Sequence, residues 1–434
     1  MKTLHPIATW EGLPWIGPCC AVNDFNGDGR NELLFIQSAG AHANSFFDPR
    51  VNNGYGYKTG VEDQELFCMT LADPEGNILW QTGEPWQLER PYSWNGHCSD
   101  FCDLVDVDGD GRNEIILVHK SDLRIYDGAT GELRASHNLP NEAFNRAQAI
   151  KTDHSGHYHI FTKSGTSSAT HSYGNPSLLL DHNLDLVWEL DNIPGAGHRP
   201  NFADFDGDGL DEMVIGFGLY DHDGTKLWAH EPSSKGDHLD DSAIVDIDGD
   251  GRLEVAFAHD GHDAVVHNDD GTERFRAPMN HCQIILAGRF FESEEGQQLI
   301  FVDKAVGEEK EREAVVVRHD GSVINRHRTL GYYDPVSWTN DCGPLSLIRA
   351  ERPPDPCGEF RVVVVEPTGK ELARLNVRAD FSAHVRKHKL DELHPEYPIY
   401  FGAGHYVSIG DVDTDGQQEV IVYDRYTVWV FKES

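Results

Sequence analysis

The stretch Asp106-Val-Asp-Gly-Asp-Gly-Arg-Asn-Glu114 decides the fold, because near copies of it recur along the whole chain. Each copy has Asp or Asn at its first, third and fifth positions and Glu at its ninth, and each lies between two short apolar runs. The other clear copies are Asp24-Phe-Asn-Gly-Asp-Gly-Arg-Asn-Glu32, Asp204-Phe-Asp-Gly-Asp-Gly-Leu-Asp-Glu212, Asp246-Ile-Asp-Gly-Asp-Gly-Arg-Leu-Glu254 and Asp411-Val-Asp-Thr-Asp-Gly-Gln-Gln-Glu419. This pattern predicts a repeated turn between two β-strands.

Degenerate copies of the same unit fill the gaps between the clear ones. They lie at Lys151 to Gly156, at Gly288 to Glu292 and near Leu345. The second half of a unit also repeats as strand, Asp-Gly turn and strand, for example from Leu123 to Arg134. Four short strands per repeated unit are typical of a β-propeller blade. We therefore predict an all-β chain forming a single β-propeller over residues 1–434. Eight blades are favoured and seven are the alternative, because the unit near Leu345 is poorly marked.

The two ends of the chain are predicted to meet. The last unit ends after Val428-Trp-Val-Phe431 and is one strand short, so the opening segment from Pro6 to Trp10 is expected to supply the missing outer strand and close the ring. Insertions at about 38–66 and 378–402 interrupt the repeat. Loops of this kind commonly carry function on a rigid scaffold.

Composition restricts the partners. A hydrophobic share of 39% with nine Trp and 20 Phe is enough for a buried core, and the formal charge of −37 argues against nucleic acid and anionic membranes as partners. No apolar run approaches the roughly 20 residues of a spanning helix. The first ten residues lack a secretion-signal pattern, so the chain as written is expected to be cytoplasmic with reduced thiols. The alternative for two of the cysteines, Cys98 and Cys102, is a role as metal ligands.

The repeated loop carries oxygen atoms at the spacing of a shortened calcium-binding loop. The alternative is that the Asp side chains cap their own turn amides without a metal. In either case the loop is expected to serve the scaffold, and no organic cofactor is predicted. The candidate ligands of a structural Ca²⁺ are Asp24, Asn26, Asp28, Glu32, Asp106, Asp108, Asp110, Glu114, Asp204, Asp206, Asp208, Glu212, Asp246, Asp248, Asp250, Glu254, Asp411, Asp413, Asp415 and Glu419.

Histidines recur in step with the predicted blades. The first strand of each propeller blade lines the central channel, so residues just before these strands should meet on one face. Five units place a His there, namely His97, His198, His238, His281 and His405. Such a ring of His could bind substrate or a transition metal, or it could be a purely structural polar channel mouth.

The repeats resemble those of FG-GAP or VCBS propellers over nearly the whole chain. Within that group, the His at the strand starts make the chain resemble the propeller polysaccharide lyases that act on rhamnogalacturonan, ulvan or rhamnose linked to glucuronate, and the related rhamnosidases. This resemblance implies a His, Tyr and Arg constellation that performs β-elimination on a uronate. We predict the catalytic residues His97, His198, Arg199, Tyr173 and His238. The predicted substrate-binding residues are Arg146, His119, His281, His405 and Tyr406.

The predicted partner is an anionic oligosaccharide or polysaccharide, held where Arg and His neutralise the uronate carboxylate. A glycoside hydrolase acting on the same glycans is one alternative. A propeller that binds carbohydrate or protein without catalysis is another, because the fold alone does not determine function.

Overall fold

A computed structural model gives the structure of most of the chain. The residues it describes are 2–16, 19–38, 67–85, 102–119, 121–140, 144, 146–165, 174–234, 236–261, 263–304, 312–329, 331, 333–337, 344–351, 361–377, 406–423 and 427–433. In these residues the regular elements are all β-strands, arranged as eight sheets around a ring. The predicted all-β propeller with eight blades is confirmed, and the seven-blade alternative is wrong. Within the described ranges, no helix has the length and apolarity needed to cross a membrane.

The first four blades follow the chain in order. Blade 1 has β3 (Cys19–Asn23), β4 (Glu32–Ser38), β5 (Phe67–Ala72) and β6 (Ile78–Gly83). Blade 2 has β7 (Cys102–Val105), β8 (Glu114–His119), β9 (Asp122–Asp127) and β10 (Leu133–Asn138). Blade 3 has β11 (Gln148–Ile150), β12 (His159–Lys163), β13 (Ser177–Leu180) and β14 (Leu186–Leu190). Blade 4 has β15 (Asn201–Ala203), β16 (Glu212–Ile215), β17 (Gly218–Tyr220) and β18 (Lys226–Ala229).

The other four blades include the two strands of the amino-terminal segment. Blade 5 has β19 (Leu239–Val245), β20 (Glu254–His259), β21 (Ala264–His267) and β22 (Glu273–Ala277). Blade 6 has β23 (Cys282–Gly288), β24 (Gln298–Asp303), β25 (Arg312–Val317) and β26 (Val323–Thr329). Blade 7 has β27 (Tyr333–Val336), β28 (Ser346–Glu351), β29 (Arg361–Val365), β30 (Glu371–Leu375) and β1 (Lys2–Leu4). Blade 8 has β31 (Tyr406–Gly410), β32 (Glu419–Tyr423), β33 (Thr427–Phe431) and β2 (Ala8–Glu11).

The amino-terminal segment closes the ring as predicted. Strand β2 pairs antiparallel with β33, with Ala8 opposite Val430, and so supplies the outer strand that the last unit lacks. Strand β1 adds a feature that the sequence did not predict: it pairs parallel with β30 as a fifth strand of blade 7, with Lys2 opposite Ala373. The segment therefore joins blades 7 and 8.

The first strand of each blade lies next to the centre of the ring, where it contacts the first strand of a neighbouring blade, as β19 does with β23. We call the end of the ring at which these inner strands begin the upper face. The end that carries the acidic loops is the lower face. Because adjacent strands in a blade are antiparallel, the start of an inner strand and the end of the second strand share the upper face. In blade 5, for example, Leu239 is opposite His259.

The core lies between the blades. The second strand of a blade is buried on both sides, as in β8, where Ile115, Ile116 and Leu117 have no exposed surface. Such strands read as continuous apolar runs instead of alternating ones. The outer strands alternate between half-buried and exposed residues, as in β6.

A tryptophan joins each of several blades to the next. Trp80 of blade 1 donates its indole N–H to the Gly128 carbonyl of blade 2 at 3.0 Å and lies against Gly131. Gly131 has φ +69°, and a Cβ atom there would lie 2.5 Å from the Trp80 ring. Trp228 makes the same contact with blade 5, donating to the Asp269 carbonyl at 3.0 Å. These tryptophans are therefore structural contacts between blades.

The substitution Trp80→Ala is expected to lower the free energy of unfolding by about 2 kcal/mol, below the range for a fully buried aromatic because Trp80 is only half buried. Urea unfolding followed by circular dichroism would measure it. The neighbouring Leu79→Ala is the control, since Leu79 is 48% exposed and its loss should change stability by less than about 0.5 kcal/mol. Equal effects of the two substitutions would contradict the role of Trp80.

The predicted insertions at about 38–66 and 378–402 lie almost wholly outside the described residues. The expectation of fully reduced thiols is wrong at Cys19, which is disulfide-bonded. Cys20, Cys68, Cys102 and Cys282 are free and buried, and burial raises the pKa of the Cys68 thiol, so these four behave as apolar core residues.

Candidate functional site

The upper face of blades 4 to 6 brings together three histidines and two aspartates. His198, His238 and His281 lie just before β15, β19 and β23, whereas Asp240 lies within β19 and Asp260 directly follows β20. The antiparallel pairing of β19 with β20 puts both aspartates at the same end of blade 5. We call these five residues the His–Asp cluster.

Asp240 is the centre of the His–Asp cluster. Its Oδ1 lies 3.5 Å from His198 Nε2 and 3.7 Å from His238 Nε2, and its Oδ2 lies 2.9 Å from His281 Nε2. The Asp240 carboxylate is almost completely buried, whereas the three imidazoles are 19% to 32% exposed. Rings from three blades therefore surround one buried carboxylate and remain accessible to a ligand.

Asp260 contacts two of the same rings from the other side. One of its oxygens lies 3.3 Å from His238 Nδ1 and the other lies 2.9 Å from His281 Nδ1. His238 and His281 are thus each held between two carboxylates, which fixes the orientation of their rings. Asp240 and Asp260 were not among the residues predicted from the sequence.

The electrostatics of the cluster suit proton transfer near neutral pH. Burial raises the pKa of Asp240 to about 7, and the negative charge of Asp260 adds to the rise, whereas Lys304 and Gln283 oppose it. Burial also lowers the pKa of His281, and the nearby Lys304 adds to that effect. A carboxylate and an imidazole with shifted pKa values in one accessible site are typical of a functional site.

Buried polar groups hold the strand starts in place. The Asp303 carboxylate accepts the backbone N–H groups of Asn280 and His281 at 3.2 and 3.1 Å. Arg146 donates to the His198 carbonyl at 3.0 Å, and Lys163 donates to the Gly197 carbonyl at 2.7 Å. Arg146, which was predicted to bind substrate, is buried and so supports the backbone of His198 from within the protein.

Arg199 lies beside the His–Asp cluster. Its guanidinium Nη1 is 3.7 Å from the buried Asp241 Oδ2, directly next to the pair formed by His198 and Asp240. Burial raises the pKa of Asp241, and Arg199 opposes that shift. Asp334, on the inner strand β27, also lies near Arg199. Partial burial raises the pKa of Asp334 to about 6, and Arg199 opposes that rise. Asp334 still has a surface exposed to water.

Apart from Arg146, the predicted catalytic and substrate-binding residues divide into three groups. The structure brings His198, Arg199, His238 and His281 together on the upper face. His119 ends β8 at the same face, but it has no exposed surface and its ring packs 5.0 Å from that of Phe67, so it offers a ligand no contact surface. The predicted residues His97, Tyr173 and His405 lie outside the described residues. For Tyr406 the backbone is described but the side chain is not.

The His–Asp cluster also has the donors of a metal site. His198, His238 and Asp240 each offer one ligand atom within 4.8 Å of the others, and so do Asp240, Asp260 and His281. Asp240 Oδ2 and His281 Nε2 are buried and close together, but they are not aligned as a hydrogen bond. Imidazole nitrogen and carboxylate oxygen are ligands for many divalent cations. The residues present therefore fit such an ion.

On the lower face, the ninth residue of each acidic loop closes the loop. In all five clear copies this Glu accepts the backbone N–H of the second loop residue at 2.7 to 3.0 Å. The first Asp accepts later amides of the same loop, as Asp24 does from Gly27 at 2.7 Å. The loops therefore have the turn-capping bonds of the metal-free alternative, and one Glu oxygen stays available for another partner.

Three acidic loops contain a cation from the chain itself. Arg134 contacts Asp108, Asp110 and Glu114 of the loop in blade 2. Arg274 contacts Asp248 and Glu254 in blade 5. Lys432 contacts Asp413, Asp415 and Glu419 in blade 8.

The loops that begin at Asp24 and Asp204 have no such ion pair among the described residues. Leu79 and Leu227 stand where blades 2 and 5 have Arg134 and Arg274, at the third position after the hairpin glycine. Of the five loops, these two therefore have no chain cation paired with their carboxylates in the part of the chain that the structure describes.

Comparison with solved structures identifies the fold. The exotype rhamnogalacturonan lyase YesX matches with a TM-score of 0.59 at 15% identity, over 98% of this chain and 75% of that one. Rhamnogalacturonan lyase YesW matches with a TM-score of 0.57 at 14% identity, over 98% and 72%. The Bacillus licheniformis rhamnogalacturonan lyase matches with a TM-score of 0.56 at 14% identity, over 98% and 72%.

This chain shares their propeller fold. Sequence identities of 14% to 15% are evidence for a shared fold but not for a shared activity. No protein-family model matches the chain, and no curated protein matches its sequence. The resemblance to FG-GAP or VCBS repeats therefore stays a prediction.

Proposed function

We propose that this protein is a polysaccharide lyase that cleaves a uronate-containing, rhamnose-rich oligosaccharide or polysaccharide by β-elimination. The observation that carries the proposal is the His–Asp cluster, in which accessible imidazoles from three blades surround the buried Asp240. The propeller fold shared with rhamnogalacturonan lyases supports it. The accessible Arg199 beside the cluster suits an anionic sugar.

The proposed reaction assigns a task to each group. A base removes the C5 proton of the uronate, the C4–O bond breaks, a C4=C5 double bond forms, and an acid protonates the departing oxygen. His238 suits proton transfer, because Asp240 and Asp260 orient its ring and the ring is still 20% exposed to a substrate. Arg199 suits binding of the uronate carboxylate, which makes the C5 proton more acidic.

A divalent cation would be held by His198, His238, Asp240, Asp260 and His281. Such an ion would supply positive charge to the substrate carboxylate. Without such an ion, the residues of the chain provide the orientation of the rings and the groups that move the proton.

Incubation with rhamnogalacturonan, ulvan and gum-arabic oligosaccharides tests the proposal. The expected result is a rise in ultraviolet absorbance from the new C4=C5 double bond on at least one of them. New reducing ends without this absorbance would mean hydrolysis, for which Asp240 and Asp260 are the candidate carboxylates. Retention of the sugar without any product would mean a binding propeller. Either outcome would overturn the lyase proposal.

We also propose that calcium occupies the loops that begin at Asp24 and Asp204, whose carboxylates form no ion pair with a Lys or Arg among the described residues. These loops have the spacing of oxygen ligands that calcium uses. In the loop at Asp204, burial raises the pKa of Glu212 to about 6, and a bound cation would favour its charged form.

The substitution Arg134→Leu is expected to lower the free energy of unfolding by about 1–2 kcal/mol in the presence of a chelator, because it leaves the buried Glu114 carboxylate without its cation. Calcium at roughly millimolar concentration should restore more stability to this variant than to the wild type. Urea unfolding with and without calcium measures both effects. Arg252→Leu is the control, since Arg252 is mostly exposed. An equal response of the two variants would contradict the interpretation that Arg134 neutralises the acidic loop of blade 2.

A further inference from the structure

Blade 3 carries a histidine where five other blades carry the closing glutamate of the acidic loop. His159 begins β12, the position at which Glu114 begins β8 and Glu254 begins β20. Counting back from His159, the residue at the third loop position is Asp153 and the residue at the seventh is His157. Blade 3 therefore keeps one carboxylate of the loop and replaces its closing glutamate with an imidazole.

His159 is a buried histidine with an unused nitrogen. It is only 8% exposed, and its Nδ1 atom is buried without a hydrogen-bond partner. Its Nε2 atom lies 4.0 Å from Asp153 Oδ2, which is too long for a hydrogen bond and short enough for both atoms to bind one ion. A buried polar atom without a partner costs stability unless something else satisfies it.

A second pair of imidazoles lies at the same loop. The rings of His157 and His182 are stacked with centroids 4.2 Å apart and planes 14° apart. His182 comes from the turn between β13 and β14, and His157 Nδ1 is also buried without a hydrogen-bond partner. Two imidazole nitrogens of one short segment thus lack the partners that buried polar atoms normally have.

The charges around the loop favour a cation. The carboxylates of Asp153 and Asp181 lie close enough to His159 to act on it electrostatically. Among the described residues, no arginine or lysine forms an ion pair with Asp153, in contrast to the loops that Arg134, Arg274 and Lys432 neutralise.

We propose that Asp153, His157, His159 and His182 form a binding site for a divalent transition-metal ion of the zinc class on the lower face of blade 3. Imidazole nitrogen with one carboxylate is a ligand set that zinc uses, whereas calcium prefers oxygen alone. The site is separate from the His–Asp cluster, because it lies at the opposite end of the ring. It does not depend on the proposed lyase activity.

Zinc titration of the chelator-stripped full chain tests the site. Zinc chloride is added in competition with a chromogenic chelator to the wild type, to His157→Ala/His182→Ala and to the control His319→Ala. His319 occupies the same turn position in blade 6, where the second strand begins with Gln298. The double variant should bind one zinc fewer, or bind it at least about 10- to 100-fold more weakly. The control should match the wild type, and excess calcium chloride should not displace the zinc.

Zinc bound by the His–Asp cluster on the upper face would not affect this test. It would be bound equally by the wild type, the double variant and the control, so the difference between them reports only on blade 3. Equal zinc stoichiometry and affinity in the double variant and the wild type would overturn the proposal. Circular dichroism reports whether the double variant folds. If it does not, the single variant His182→Ala decides, since it removes only a half-buried turn side chain. Unchanged zinc affinity there would overturn the proposal equally.

Discussion

The substitution His238→Ala is expected to reduce kcat/KM on the cleaved oligosaccharide by about 10²- to 10⁴-fold, the range for loss of a general acid or base. The His238 ring is held between Asp240 and Asp260 and is 20% exposed, so it is both oriented and accessible to a substrate. Initial rates of double-bond formation below saturation measure the effect. A thermal melt of the variant shows whether the fold is kept.

His319→Ala is the matched control for this prediction. His319 is also a half-buried histidine, but it lies on the lower face, so its removal should leave the rate unchanged. A wild-type rate in His238→Ala would exclude the His–Asp cluster as the catalytic site. A raised KM with an unchanged kcat would instead assign His238 to substrate binding.

The architecture could be predicted because it repeats. The loop from Asp106 to Glu114 gives the same turn in every clear unit, and the apolar runs on either side give the strands that pair in each blade. The outer position of β2 followed from counting strands in the last unit. The pairing of β1 with β30 did not follow, because Lys2-Thr3-Leu4 has no pattern of its own and is held by an edge that only the folded ring provides.

The histidines of the site could be placed for the same reason. His198, His238 and His281 lie in step with the loops, so the repeat alone brings them to one face. Their partners could not be placed in this way. Asp240 lies inside an inner strand and Asp260 follows a second strand, so the two meet only through the antiparallel pairing of β19 and β20.

A signal for these aspartates was nevertheless present. Asp240 and Asp241 stand together near the start of a strand that ends in the apolar run Ala243-Ile244-Val245, and a charge buried there is costly and therefore usually has a specific partner. Polar residues at the ends of second strands give a similar signal, as with Lys163 and Asp303. Reading strand ends as well as strand starts would have found Asp260.

The same buried carboxylate leads to a second large effect. Asp240→Asn is expected to abolish the lyase activity and, in metal-free protein, to raise the free energy of unfolding by about 1–3 kcal/mol at pH values of about 8. The pKa of Asp240 in the folded protein is about 7, well above the value of about 3.9 in an unfolded chain. Ionisation is therefore unfavourable in the folded state, because of burial and the nearby Asp260. Asparagine has nearly the same shape as aspartate but no charge, so the substitution removes the free-energy cost of a buried negative charge.

The sign of the pH dependence follows from these two pKa values. Below about pH 4 the carboxyl is protonated in both states, so the variant and the wild type should be equally stable. Between about pH 4 and pH 7 the unfolded chain loses its proton first, so the wild type loses stability as the pH rises and the variant does not. Above about pH 7 the difference reaches its full size. Urea unfolding of chelator-treated protein across this range measures the two curves.

Asp185→Asn is the control for both readouts, because Asp185 is an exposed carboxylate on the lower face. It should follow the wild type in activity and at each pH. Loss of stability in Asp240→Asn would mean that the carboxylate holds the three imidazoles in place as a structural group. A more stable variant that kept its activity would mean that the buried charge serves no reaction. A variant that is more stable but inactive would mean that the protein keeps the destabilising Asp240 carboxylate because the reaction needs it.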